Sequence, residues 1–169
     1  GRDVTAAVAA GELLPGMTLQ QVEAARGVRI GDDGRRFRLP DGTLASLHDL
    51  GDRAVVLSED VLLEERVYPA ADQVRNALAQ GALIPYLLRS DVEKILGEAA
   101  RSVTRQEDGT EAVEYGFGTA VYWKNRLEMM GGLAGSEMER LKISVSVPRS
   151  DANDFSMLTP EEQQTVMKR

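Results

Sequence analysis

The stretch that decides the fold is Leu13–Gly27, LLPGMTLQQVEAARG, because a second copy of it follows later in the chain. The second copy is Leu83–Gly97, LIPYLLRSDVEKILG, which aligns without a gap at an offset of 70 residues. Extended back to Val4 and Val74, the copies share nine identical residues, where ordinary residue frequencies give roughly one or two. The identical pairs are Val4/Val74, Ala7/Ala77, Ala9/Ala79, Gly11/Gly81, Leu13/Leu83, Pro15/Pro85, Val22/Val92, Glu23/Glu93 and Gly27/Gly97. A repeat of this length predicts a duplicated structural unit.

Two shorter blocks follow the long repeat in the same order. Asp41-Gly42-Thr43 recurs as Asp108-Gly109-Thr110 at an offset of 67, and Ala54-Val55 recurs as Ala120-Val121 at an offset of 66. The falling offset predicts small deletions in loops, where chains tolerate them. The alternative is that two helical segments resemble each other by composition alone.

Each copy is predicted to begin with two short helices. Thr18 and Gln21 fit a capping box for the second helix, and Gly27 is a typical helix end. In the second copy Leu88 replaces Thr18, so the cap is expected to move to Ser90. After each helix pair the apolar period changes from 3.6 to 2, which is typical of strands.

The predicted fold class is α+β, with two tandem units of two helices and a four-stranded antiparallel sheet, plus a short C-terminal helix from Thr159. The predicted boundaries are 1–69 and 70–148 for the units and 149–169 for a linker and that helix. Leu141–Val147 alternates cleanly and is predicted as a half-buried antiparallel strand. The eight other strands are predicted at Arg36–Leu39, Thr43–His48, Ala54–Leu57, Val61–Val67, Arg101–Gln106, Thr110–Gly116, Thr119–Lys124 and Leu127–Met130.

Composition excludes several classes of site. The net charge is −7 and no basic tract occurs, which argues against nucleic-acid binding and against electrostatic attachment to anionic membranes. The chain has no cysteine, so disulfides and thiolate chemistry are excluded. No apolar window is long enough to span a membrane. The chain opens on Gly1 rather than Met, which is consistent with a removed signal or lipid anchor.

The helix motif supplies a family resemblance. Pro15-Gly16-Met17-Thr18 with Val22 and Gly27 forms a GMT-x-x-x-V-x-x-x-x-G pattern that resembles the SmpA/OmlA-type outer-membrane assembly lipoproteins and the secreted β-lactamase inhibitor proteins. The resemblance implies a non-enzymatic unit that binds another protein, usually outside the cytoplasm. The tandem plan is closer to the inhibitor proteins, although their disulfides are missing here, and the second copy has Tyr86-Leu87-Leu88 in place of the Gly-Met-Thr.

Four of the eight aromatic residues lie within nine positions, at Tyr115, Phe117, Tyr122 and Trp123. One interpretation places these rings in the core between sheet and helices. The other makes them a partner-binding patch on an open sheet face, since aromatic residues are common interface anchors. Continuous alternation through the segment would put Tyr122 on the face opposite the other three rings. Tyr122 with Lys124 and Arg126 is then the expected exposed group, because Lys and Arg rarely face a core.

No catalytic, cofactor or metal site is predicted. His48 is the only histidine, and no motif links it to a nucleophile or a carboxylate, so a surface position at the end of a strand is expected. The acidic pairs Asp32-Asp33, Glu59-Asp60 and Glu64-Glu65 fit no calcium loop and are expected in turns or on the surface. A deep pocket holding His48 beside an acid would revive an enzymatic function.

The leading functional hypothesis is a non-enzymatic protein-binding module of the bacterial envelope or exterior, which presents its open sheet face to a protein partner. The alternatives are an inhibitor or immunity protein that blocks a specific enzyme or toxin, and an enzyme with an unrecognised site. A cytoplasmic adaptor is a further alternative for the compartment, and the sequence leaves the oligomeric state open.

Overall fold

The computed structural model describes residues 3–116, 118–132 and 144–150. Over these residues the chain has the predicted α+β class, with four helices and antiparallel sheets. It divides into two compact units, the first ending at Val67 and the second beginning at Tyr68. The predicted C-terminal helix and most of the segment that follows Gly132 lie outside the described residues.

The first unit contains two helices and a four-stranded antiparallel sheet in the order β1-β2-β3-β4. Its elements are α1 (Val4–Ala10), α2 (Leu19–Arg26), β1 (Arg35–Arg38), β2 (Leu44–Asp49), β3 (Arg53–Ser58) and β4 (Val61–Val67). The predicted capping box at Thr18 and Gln21 is present, and Gly27 ends α2 in the left-handed region.

The second unit repeats this order of elements and adds three short strands. Its elements are α3 (Ala71–Gln80), β5 (Ala82–Leu83), α4 (Arg89–Leu96), β6 (Ser102–Arg105), β7 (Glu111–Tyr115), β8 (Gly118–Trp123), β9 (Arg126–Gly131), β10 (Ser144–Val145) and β11 (Arg149–Ser150). The sheet order is β11-β9-β8-β7-β6, with β11 parallel to β9 and the other pairs antiparallel. The cap of α4 stays at Leu88 without a side-chain bond, so the expected move to Ser90 is wrong.

The prediction for Leu141–Val147 is also wrong in its pairing. Of this stretch only Ser144–Val145 is described as a strand, and it pairs parallel to Ala82–Leu83 rather than antiparallel in the main sheet. The fourth antiparallel strand of the unit is β9, and β11 pairs with the edge of β9 that faces away from β8. Alternation of apolar residues predicts a strand with one buried face, but it does not select the neighbouring strand.

Each second helix is attached to the last hairpin of its unit by the same backbone bonds. In the first unit the Leu62 N–H donates to the Met17 carbonyl at 2.7 Å, and the Leu19 N–H donates to the Asp60 carbonyl at 2.8 Å. In the second unit the Leu127 N–H donates to the Leu87 carbonyl at 2.8 Å. The Arg89 N–H donates to the Asn125 carbonyl, also at 2.8 Å.

The last hairpins correspond at an offset of 65, because their turns and β-bulges coincide at that spacing. Glu59-Asp60 and Lys124-Asn125 form the turns with positive φ, and the register shifts after Val56 and after Val121. The offset of 66 from the sequence is therefore wrong. It would match Val55 on the helix-facing side of β3 with Val121 on the opposite side of β8.

All seven buried residues of the helix-facing core of the first unit have buried counterparts in the second. The pairs are Ala7/Ala77, Leu13/Leu83, Met17/Leu87 and Val22/Val92 at an offset of 70, and Val55/Ala120, Leu57/Tyr122 and Leu62/Leu127 at 65. Burial of these side chains against the helices is the main stabilising contribution in each unit. The backbone bonds to the last hairpin determine which strands the helices cover.

Replacing Leu19 with Pro tests the contribution of one such bond. Proline normally suits the first position of a helix, but here it removes the N–H that donates to the Asp60 carbonyl. Relative to Leu19→Ala, which also removes the side chain, we expect Leu19→Pro to lower the free energy of unfolding by about 1 kcal/mol more.

Ala71→Pro is the matched control, because Ala71 is the first residue of α3 and its preceding residue is already extended. It should change stability by less than about 0.5 kcal/mol in urea unfolding. Equal losses in the Leu19→Pro and Leu19→Ala variants would show that the bond contributes nothing.

Candidate functional site

Three of the predicted partner-binding rings are core residues. Tyr122 is fully buried, and Tyr115 and Trp123 are 5% and 7% exposed. The expectation that Tyr122 is the exposed ring is therefore wrong. Phe117 lies outside the described residues.

A turn between β7 and β8 interrupts the alternation of side chains. Tyr115 pairs with Gly118, so the chain reverses after Tyr115 and the parity restarts in β8. Residues paired across an antiparallel ladder share a face, which puts Tyr122 on the same side as Tyr115, facing the helices. Trp123 then lies with Val121 on the opposite side, and both are buried there.

The opposite sheet faces are not open apolar surfaces in either unit. Val121 and Met129 are buried on that side of the second sheet, and Phe37 and Leu47 are buried on the corresponding side of the first. An exposed aromatic sheet face for a partner, as the sequence suggested, is therefore not present at these residues.

The two cations predicted beside the rings have different environments. The Arg126 guanidinium lies 4.0 Å from the centre of the Tyr68 ring and donates to the Tyr86 carbonyl at 3.1 Å, so it serves the structure of the second unit. Lys124 is exposed at the β8–β9 turn, with its Nζ atom 5.9 Å from the Trp123 ring centre.

The buried tyrosines form a chain of hydrogen bonds that ends at α4. The Tyr122 and Tyr115 hydroxyls are 2.9 Å apart, and the Tyr115 hydroxyl donates to Glu93 Oε2 at 2.8 Å. Arg89 Nε donates to the same carboxylate oxygen at 2.9 Å. Since Tyr115 donates to Glu93, the Tyr122 hydroxyl is the donor in the bond between the two phenols.

Burial and this chain of bonds shift three pKa values. Burial raises the pKa of Tyr115 to about 12 and raises the pKa of Tyr122 further. Burial also acts to raise the pKa of Glu93, but the hydrogen bonds from Arg89 and Tyr115 outweigh it and the pKa lies below its ordinary value. The phenols remain neutral donors, and Glu93 remains an acceptor, over the physiological range.

The first unit contains a cleft of about 280 Å³. Its floor is the helix-facing side of β1 and β2, and its walls are α2, the loop after α2 and the Glu59-Asp60 turn. The lining residues are Leu19, Ile30, Gly31, Asp32, Arg36, Leu44, Ala45, Ser46, His48, Leu57, Glu59 and Asp60.

His48 lies near the end of β2, as expected, but it is half-buried in this cleft rather than fully exposed. Its Nε2 atom lies 2.7 Å from Ser46 Oγ, two residues earlier on the same face of β2. The ring packs on the backbone of Gly34, where an added Cβ would lie 2.6 Å from Nδ1. Partial burial lowers the pKa of His48, with Arg36 adding to the effect and the carboxylates of Asp33 and Asp32 opposing it.

The Ser46–His48 pair resembles part of a nucleophilic site but lacks the remaining parts among the described residues. No carboxylate there is hydrogen bonded to the His48 ring, whose bond to Ser46 occupies Nε2. Ser46 lies mid-strand between Arg36 and Leu57, where the backbone N–H groups serve the sheet and do not converge on an oxyanion. The geometry supports a polar, hydrogen-bonded floor of the cleft better than an activated nucleophile.

Over the described parts of the chain, no set of three or more His, Asp or Glu residues is arranged to hold a metal ion. None of the described helices has the length and apolar content needed to cross a bilayer. Comparison with protein-family models, characterised proteins and solved structures finds no match for this chain.

The tyrosine chain predicts an asymmetry between two conservative substitutions. Tyr115→Phe should cost about 2–3 kcal/mol, because it leaves the buried Tyr122 hydroxyl without an acceptor. Tyr122→Phe removes only one donor and should cost about 1 kcal/mol. The double variant should be no less stable than Tyr115→Phe. Urea unfolding measures all three, and equal single losses that add in the double variant would contradict the chain.

The single histidine gives a direct test of the cleft electrostatics by proton NMR titration. The His48 midpoint should lie below 6.5, fall further in Asp33→Asn and rise in Arg36→Gln.

The same shift predicts a pH dependence of stability. The pKa of His48 is lower in the folded chain than in the unfolded chain, so the unfolded chain binds more protons at pH values between the two. The contribution of His48 to the free energy of unfolding should therefore fall as pH drops through about 6.5 and become constant below the folded midpoint. His48→Gln should lack this component, whereas a midpoint above 6.5 would contradict the assigned environment.

Proposed function

We propose that the chain is a non-enzymatic protein-binding module built from two duplicated units. The duplication is supported by the shared order of elements, the matching bonds between helix and hairpin, and the seven equivalent core positions. The resemblance of the Gly16-Met17-Thr18 motif to the envelope lipoproteins and secreted inhibitor proteins supports an envelope or exterior location.

The observation that carries this proposal is the size and lining of the cleft in the first unit. At about 280 Å³ it lies at the lower limit of small-molecule sites, and it combines exposed apolar and charged side chains. Leu44 at its edge is 51% exposed. A cleft of this kind suits one side chain of a protein partner, with a surrounding polar rim.

The inhibitor or immunity class is the more specific form of the same function. The net charge of −7 favours a basic target, because complementary charge accelerates association. In that case the captured partner is an enzyme or a toxin, and its activity falls in proportion to the complex formed. The enzymatic alternative would use the Ser46–His48 pair as nucleophile and base.

We expect the tagged full chain to retain one protein from an extract of the source cell, identified by mass spectrometry. The purified pair should then form a stoichiometric complex in light scattering and calorimetry. Failure to retain any protein reproducibly, or retention without a purified complex, would refute the binding function.

A fluorophosphonate probe separates the enzymatic alternative from binding. Ser46 should remain unlabelled at concentrations that label an activated serine, because among the described residues no carboxylate orients His48 and no oxyanion donors converge beside Ser46. The Ser46→Ala variant is the matched control. Labelling of the wild type that the control loses would support the enzyme instead.

A further inference from the structure

The cleft is made by the places where the first unit departs from the second. The loop between α2 and β1 is Gly27–Gly34, and the corresponding loop between α4 and β6 is Gly97–Arg101, three residues shorter. The fall in offset from 70 to 67 has the same size. Ile30, Gly31 and Asp32, which line the cleft, belong to the longer loop.

The side chains on the floor of the cleft also differ from those at the equivalent positions of the second unit. At the offset of 67 set by the Asp-Gly-Thr hairpins, Ser46 corresponds to Val113 and His48 corresponds to Tyr115. Val113 and Tyr115 are buried in the core of the second unit. The first unit has small or polar side chains at both positions, which leaves space above β2.

The charges around this space are mostly negative. Asp32 contributes a carboxylate from the loop, and Glu59 and Asp60 contribute two from the β3–β4 turn. These three side chains are exposed, and none of them forms an ion pair or hydrogen bond with another described side chain. Arg36 supplies one positive charge from the floor, and the lowered pKa of His48 keeps its ring neutral at pH 7.

The apolar residues lie where the stem of a long side chain would rest. Leu19 and Ile30 are half-buried along the walls, Leu57 is buried beneath, and Leu44 is exposed at the edge. Lysine and arginine combine an apolar stem with a cationic head, which matches apolar walls below a carboxylate rim. A carboxylate or phosphate would meet three negative charges there.

We propose that this cleft receives a lysine or arginine side chain of the protein partner. The proposal rests on the protein-binding function and names the chemistry that its partner presents. The stem packs on the apolar walls, and the cation pairs with Glu59 and Asp60, whose positions are set by the turn. Arg36 opposes the cation and restricts binding to partners that hold the basic side chain toward the turn.

Binding of small probes tests the cleft without the partner. N-acetyl-arginine methylamide and N-acetyl-lysine methylamide are titrated into the full chain and followed by ¹⁵N–¹H NMR. We expect shifts at the amides of Gly31, Leu44 and His48. N-acetyl-glutamate methylamide should leave these amides unchanged.

Charge variants then locate the site. Glu59→Gln with Asp60→Asn should weaken probe binding five- to tenfold, and Arg36→Gln should strengthen it. Glu107→Gln with Asp72→Asn removes the same charge from exposed positions outside the cleft, and should change binding less than twofold. Equal binding of the acidic probe, shifts elsewhere, or equal weakening by the control pair would overturn the proposal.

The outcomes separate this proposal from the binding function. If the purified partner binds the Glu59→Gln/Asp60→Asn variant as tightly as the wild type, the cleft assignment fails and the binding function stands. If no partner is captured while the basic probes bind the cleft, the binding function fails and only the cleft chemistry stands.

Discussion

The attachment of each second helix to the last hairpin of its unit is the constraint on which the rest depends. In the first unit, backbone bonds join Met17 to Leu62 and Leu19 to Asp60, and equivalent bonds occur in the second. These bonds hold the helix over the third and fourth strands, where the apolar side chains of Val55, Leu57 and Leu62 meet it. The side of the first two strands that faces the helices is filled by further contacts.

The two units fill the helix-facing side of their first two strands differently. In the second unit Val113 and Tyr115 bury it, and the tyrosine hydroxyl reaches Glu93 on α4. In the first unit the equivalent glutamate, Glu23, accepts from the Ile30 N–H at 2.8 Å and holds the longer loop instead. One glutamate at the same position in both helices therefore closes the core in one unit and shapes a cleft wall in the other.

Much of this arrangement could be predicted from the sequence, because it depends on local signals. Capping at Thr18, the terminal glycines, the hairpin turns and the strand positions follow from short-range chemistry, and Val61–Val67 matches its predicted bounds. The burial of Tyr122 was missed because its face is set by the turn after Tyr115. The pairing of Ser144–Val145 and the cleft were missed because both depend on which segments meet in space.

The polar floor of the first unit has an energetic consequence that bears on its role. Burying a large side chain such as valine contributes about 1.5–3 kcal/mol. The first unit lacks this contribution at two positions, because Ser46 and His48 stand where the second unit buries Val113 and Tyr115. At pH values below about 6.5 the partial burial of His48 adds to this cost, since it disfavours the protonated ring. With total stabilities of about 5–15 kcal/mol, losses of this size are substantial. Residues that lower the stability of a protein are often retained because its function requires them. In the second unit the equivalent positions are filled by Val113 and Tyr115, and the Tyr115 hydroxyl is hydrogen bonded to Glu93, so these side chains stabilise the core rather than line a cleft.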